Sequence, residues 1–207
     1  MKIEINLKII FAILLFLMIK NLNTYLIFLV FILIHEIAHL IVGIILGGKP
    51  KKMTISVFGV SLEFYSYVKA KSFYKIIFYA IGPVINIIIA LILSYMYTEK
   101  NLLIEKIIIT NYMIGIFNLI PILPLDGGKI IKEFLKIFLK VETANKIAIY
   151  ISKIILIAIS LIYSVLIIRV KNIIILFLIM YLWYLYTLEE RRFLIYLKTN
   201  AAIKNMV

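Results

Sequence analysis

His35, Glu36 and His39 are the residues in this sequence best suited to carry chemistry. They stand in Ile34-His35-Glu36-Ile37-Ala38-His39, inside an apolar run from about Tyr25 to Leu46. The chain has only two histidines, and this stretch holds both. On a helix, positions i and i+4 share one face. Two imidazoles so spaced can hold one metal ion, and a carboxylate one residue after the first can reach a water beside it. A His-Glu-x-x-His pattern also arises by chance on polar helix surfaces, but this one lies in an apolar run, where ionisable groups are costly and usually functional. Two histidines merely hydrogen-bonded to neighbouring helices would leave Glu36 without a reason.

A second constellation is Asn118-Leu119-Ile120-Pro121-Ile122-Leu123-Pro124-Leu125-Asp126-Gly127-Gly128. Asp126 is the only aspartate in the chain. Pro121 and Pro124 remove backbone donors and disfavour helix before them, while the glycine pair permits unusual dihedrals. An irregular stretch at membrane depth is expected, tolerated where protein or a water-filled cavity surrounds it. A plain helix stop would explain the prolines and glycines but not the aspartate. His35, His39 and Asp126 together would supply three ligands and leave a fourth tetrahedral position for water, as in a catalytic zinc (Zn2+) site. Zinc in such a site acidifies a water and polarises a carbonyl, and Glu36 is placed to act as the base. Asn118 could hydrogen-bond an unwound substrate backbone, or equally make a helix–helix amide contact.

The elements that must position these residues follow from composition. Hydrophobic residues make up 65% of the chain and charged residues 16%, and the mean hydropathy is +1.12. These values exclude a soluble domain. Apolar runs near the ~18–20 residues that cross a bilayer recur along the chain, so an all-α polytopic membrane protein of about six spans is expected. The spans are read at about 9–19, 25–46, 73–97, 102–120, 147–168 and 173–188. The first is short and could instead lie at the interface. It lacks a small-residue cleavage site and is read as retained. Gly47-Gly48-Lys49-Pro50 closes the second. Without cysteine, neither a disulfide framework nor a thiolate metal site can form.

A net charge of +13 could suggest nucleic acid, but in a membrane chain the position of the charges decides. If the spans alternate, one side carries the N-terminus, the second–third connection (Lys49 to Lys75), the fourth–fifth connection (Lys129 to Lys146) and the tail from Arg191. The other side carries only Lys20, Lys100, Lys106, Arg169 and Lys171, with Lys153 inside the fifth span. The positive-inside rule then puts both termini in the cytoplasm. Nucleic acid is not an expected partner.

The connection from Lys51 to Val68 has a different pattern. From Met53 to Tyr65 apolar residues alternate with small or polar ones, with Gly59 near the centre. Period two predicts a short β-hairpin between the second and third spans. It is either a plain interfacial hairpin or an edge to which an extended peptide could add as a further strand.

These motifs resemble the site-two family of intramembrane zinc metalloproteases. His35-Glu36-Ile37-Ala38-His39 matches the family's zinc-binding motif. Asn118-Leu119-Ile120-Pro121 through Leu125-Asp126-Gly127-Gly128 resembles its second motif. Gly82-Pro83-Val84-Ile85-Asn86 resembles a Gly-Pro-x-x-Asn element found in many members. All three occur in order over about Ile34 to Gly128. The resemblance implies His35, His39 and Asp126 as zinc ligands and Glu36 as catalytic base. Asn118, Phe58, Gly59 and Asn86 are then expected at the substrate, Phe58 as the match to a phenylalanine thought to occlude the site. The six-span layout (domain 1–188, core 25–130, short cytoplasmic tail 189–207) resembles the sporulation branch of the family. That branch implies a pro-sigma factor as membrane-tethered substrate, inhibitory membrane proteins as partners, and the mother-cell membrane around the forespore, a bacterial inner membrane. An oligomer is compatible with this layout. The chain departs from many relatives in showing no C-terminal nucleotide-binding domain and no insertion long enough for a PDZ domain.

The expected function is a zinc endopeptidase cutting a membrane-associated protein near the cytoplasmic face. One alternative is a site-two protease acting on another membrane-tethered regulator. A metal transporter, from a different class, would need further ionisable groups along other spans, and apart from Lys153 and Glu105 these are almost lacking. A non-catalytic scaffold would not need Glu36.

Overall fold

The computed structural model describes residues 2–5, 22–56, 59–66, 71–97, 101–170 and 173–204. The elements in chain order are β1 (Lys2–Ile5), α1 (Leu22–Ile45), β2 (Lys49–Ser56), β3 (Gly59–Ser66), α2 (Ser72–Met96) and α3 (Leu102–Leu119). They are followed by α4 (Asp126–Phe138), α5 (Val141–Val170) and α6 (Ile173–Lys204). They divide into two compact units, Met1–Leu119 and Ile120–Val207.

In the first unit α1, α2 and α3 pack on one another, and the sheet lies against α1. The buried faces repeat at helical spacing: Tyr25, Ile32, His35 and His39 on α1, Gly82, Asn86 and Ala90 on α2, Asn111, Ile114 and Gly115 on α3. Lipid tails are as apolar as leucine, so such helices gain by close packing through small residues. Gly115 is one of these. A Cβ there would lie 2.7 Å from Ile87 Cγ1 and 3.0 Å from the Pro83 carbonyl oxygen. Large apolar residues such as Val30, Ile41, Leu91 and Ile109 point outward.

Strands occupy the segment read as a hairpin, but the sheet has three strands. β2 and β3 pair antiparallel from Ser56↔Gly59 to Lys49↔Ser66, and β1 adds parallel to β2 with Ile5 opposite Ile55. The pairing shifts register on both sides of Pro50, which has no N–H to give the ladder. A four-residue strand is too short for its alternation to be read, so β1 was not expected.

In the second unit α5 packs against both α4 and α6. Its buried residues Ala144, Ala148, Ser152 and Leu156 are spaced every four residues. Trp183 on α6 donates its Nε1–H to Ser160 Oγ at 3.0 Å. Residues 120–125 form the irregular stretch expected from Pro121 and Pro124, with a cis Leu123–Pro124 peptide. The Ser152 hydroxyl donates to the Ala148 carbonyl at 2.7 Å and accepts the Leu123 N–H at 3.0 Å, so α5 holds this stretch by its backbone. A Cβ on Gly128 would lie 2.5 Å from the Ile122 carbonyl carbon and Leu123 nitrogen, so only glycine admits the segment here.

Among the described residues, four helices are long and apolar enough to cross a bilayer: Asn23–Ile45, Ser72–Met96, Leu102–Leu119 and Val141–Leu166. They correspond to the second to fifth expected spans. Six spans is therefore more than the described residues support. The expected first span lies outside them. The expected sixth falls in α6, which does not end near residue 188 but continues to Lys204 through Glu189, Glu190, Arg191 and Arg192. The stretch 189–207, expected as a tail, is thus helical as far as Lys204. The fourth–fifth connection, read for its lysines and for the motif ending in Asp126-Gly127-Gly128, contains a whole helix, α4, which takes in those three residues.

Ser152→Ala should leave the Leu123 N–H buried and unmade, at a cost of about 1–3 kcal/mol. Limited proteolysis in detergent is expected to cut the purified variant faster within 120–125 than the parent.

Candidate metal centre

The turn of α1 from His35 to His39 brings both rings onto the buried face, with His35 only 1% exposed and His39 5%. Each ring is held by its Nδ1. His35 Nδ1 lies 2.8 Å from Asn86 Oδ1, and His39 Nδ1 lies 2.6 Å from the carbonyl oxygen of Phe78. A backbone carbonyl only accepts, so Nδ1 of His39 carries a proton. The Asn86 oxygen imposes the same on His35. In a neutral ring the lone pair then sits on Nε2, the atom left for a metal.

The two Nε2 atoms lie 3.2 Å apart. Two neutral imidazoles in this tautomer cannot hydrogen-bond to each other through Nε2, because both are acceptors there. A shared cation suits them. With Zn–N bonds of about 2.0–2.1 Å and tetrahedral angles, two ligand nitrogens stand ~3.3–3.4 Å apart, close to the spacing observed. His35 and His39 in the first unit and Asp126 in the second are all buried. Two imidazoles and one carboxylate are a donor set suited to zinc.

α2 makes room for the rings. A Cβ on Gly82 would lie 2.6 Å from His35 Nε2 and would also strike His39 Nε2. The glycine of Gly-Pro-x-x-Asn thus works by having no side chain. Asn86, expected at the substrate, is fully buried. Its Oδ1 faces His35, and its Nδ2 donates to Asn111 Oδ1 at 2.9 Å and the Phe31 carbonyl at 3.3 Å. Its amide therefore orients His35. Gly82 was read only as part of the Gly-Pro-x-x-Asn element, and Asn111 and the Phe78 carbonyl escaped sequence reading. Asn111, a polar residue inside an apolar span, carried a readable signal, whereas a backbone carbonyl has none.

Glu36 is half-buried on α1, about 100° around the helix from His35. Asp126 is the first residue of α4 and is 6% exposed. Its Oδ1 lies 3.2 Å from Lys129 Nζ, one turn on. A helix N-terminus favours a negative charge, so this position suits an ionised ligand. Asn118 lies in the last turn of α3 with its Nδ2 donating to the Ile114 carbonyl at 3.0 Å. Gly59 opens β3 opposite Ser56. Phe58 lies outside the described residues.

Gly82→Ala separates helix propensity from site geometry. Alanine is the better helix former by about 1 kcal/mol, so the helix itself should not weaken. The added methyl displaces the imidazoles, and zinc affinity in a chelator competition should fall at least about tenfold.

The model of peptidase family M50 matches residues 99–161, which include Asn118 and Asp126 but not the histidine pair. A Synechocystis sp. protein described as a zinc metalloprotease is 33% identical over 107 residues. That alignment takes in 48% of this chain, and the chain spans only 27% of that relative's length. The solved site-2 protease from Methanocaldococcus jannaschii superposes with a TM-score of 0.69 at 22% identity, covering 90% of this chain and 89% of that one. The chain thus has the fold of the solved site-2 protease, and a segment running through Asp126 matches the model of peptidase family M50.

Proposed function

We propose that this chain is an intramembrane zinc endopeptidase of the site-two type. The observation that carries this reading is the histidine pair, with both Nδ1 atoms tied and both Nε2 atoms at the spacing of a shared zinc ion. The match to peptidase family M50 and the likeness to a zinc metalloprotease support it further.

His35, His39 and Asp126 would hold the ion. Zinc so held supplies Lewis acidity, which polarises a carbonyl and acidifies a water. Glu36 acts as general base, taking a proton from the water that attacks the scissile carbonyl carbon. As the C–N bond breaks, Glu36 returns that proton to the leaving nitrogen. Asn118 hydrogen-bonds the unwound substrate backbone, and the strands around Gly59 offer an edge for an extended segment. The substrate is a membrane-tethered protein cut near the cytoplasmic face, a side assigned by the lysine distribution, which also puts both termini there. The finer reading takes the pro-sequence of a sporulation sigma factor as substrate, with membrane proteins as inhibitors. Its support is the resemblance in layout alone.

Glu36→Gln should bind zinc like the parent yet lose at least about 10²-fold in cleavage, since general base catalysis contributes ~10²–10⁴-fold. Cleavage retained by this variant would remove the mechanism. Asp126→Ala is expected to lose the metal by elemental analysis. Chelation should stop cleavage of a co-reconstituted tethered substrate, and added zinc should restore it. Co-expression with a pro-sigma factor, scored for shortening on a gel, tests the finer reading separately.

A further inference from the structure

Resting on that zinc reading, we propose that Asn111, on a helix carrying no ligand, is a positioning residue that sets the tautomer of His35 through Asn86. The chain of contacts runs from α3 through α2 to α1 with every amide buried: Asn111 and Asn86 are fully inaccessible and His35 is 1% exposed.

Two backbone carbonyls fix the direction of this chain. The Ile107 carbonyl, one turn before Asn111, can only accept, so the amide nitrogen of Asn111 faces it at 2.9 Å. Asn111 Oδ1 is thereby turned to Asn86 and accepts from its Nδ2 at 2.9 Å. The second carbonyl, that of Phe31, accepts the other Nδ2 proton at 3.3 Å. Asn86 therefore has only Oδ1 to offer His35, whose Nδ1 must donate at 2.8 Å.

Turning the Asn86 amide alone would set its oxygen against two acceptors. Turning both amides would set Asn111 Oδ1 against the Ile107 carbonyl. Both alternatives face oxygen with oxygen at fully buried side chains, where the mismatch is most costly. Without Asn111, the longer bond to Phe31 is the remaining restraint on the amide. His35 could then carry its proton on Nε2, the atom the ion needs. Gly115, one turn on from Asn111 and on the same face, lets α3 approach α2 closely enough for the bond.

The two histidines make this directly measurable. Metal-free protein labelled with ¹⁵N-histidine in nanodiscs should show two rings, each protonated at Nδ1 and not at Nε2, at a pH where both are neutral. In Asn111→Leu the His35 nitrogens should shift toward the opposite tautomer. His39, tied to the Phe78 carbonyl, should not move and serves as the control for folding. Zinc affinity should fall about tenfold, and Asn86→Leu/Asn111→Leu should bind zinc no more weakly than Asn86→Leu alone. Unchanged His35 shifts, or losses that add in the double variant, would overturn the proposal. Asn111→Ser can bond the Ile107 carbonyl but is too short to reach Asn86, and repeats the contrast with less change in packing. Movement of both histidines in both variants would overturn the relay in favour of a general packing role. Failure of the parent to bind zinc would sink the enzyme reading, while the tautomer measurement still decides the relay.

Discussion

An imidazole buried among apolar helices has no water to hydrate its N–H, so a protein acceptor must take that proton. His35 gives its proton to Asn86 and His39 to the backbone of Phe78, and both acceptors sit on α2. The rest of the first unit depends on these two bonds. They fix which nitrogen of each ring faces its neighbour and hold the two Nε2 atoms 3.2 Å apart. They also require α2 to lie close against α1, which Gly82 permits by lacking a Cβ. A larger residue there could satisfy the helix but not the rings.

The second unit solves a matching problem for a carboxylate. Asp126 follows an irregular stretch rich in proline, which cannot satisfy its own backbone groups by helix hydrogen bonds. Ser152 takes up the Leu123 N–H, and Gly128 lets the stretch fold onto the first turn of α4. The carboxylate then begins a helix, where the N–H groups of the first turn favour its charge, with Lys129 alongside. In each unit a potential ligand is held by groups that do no chemistry themselves.

Polar residues inside apolar helices connect these observations. Asn86, Asn111 and Ser152 are all fully buried, and each is fully engaged by a ring, an amide or a backbone group. A membrane span could dispense with such residues for stability, since leucine is cheaper to insert. Their presence beside His35 and before Asp126 marks where orientation matters more than insertion.

Much of the site was legible because membrane chemistry is strict. Two histidines four apart with an intervening glutamate and a single aspartate stand out in a chain that is 65% hydrophobic, and spans of ~20 apolar residues announce themselves by length. A candidate ligand set, a candidate base and four helices long and apolar enough to cross a bilayer could therefore be read from residue type and spacing. Other features rest on contacts between segments distant in sequence. That Asn86 orients a histidine, that Gly82 makes room for two rings, and that Lys2–Ile5 joins β2 depends on which faces meet. Helix α4 lay hidden because its lysines read as a charged connection. Only the tertiary structure decided which nitrogen of each imidazole faces inward, since the proton on a ring goes wherever the fold sets an acceptor.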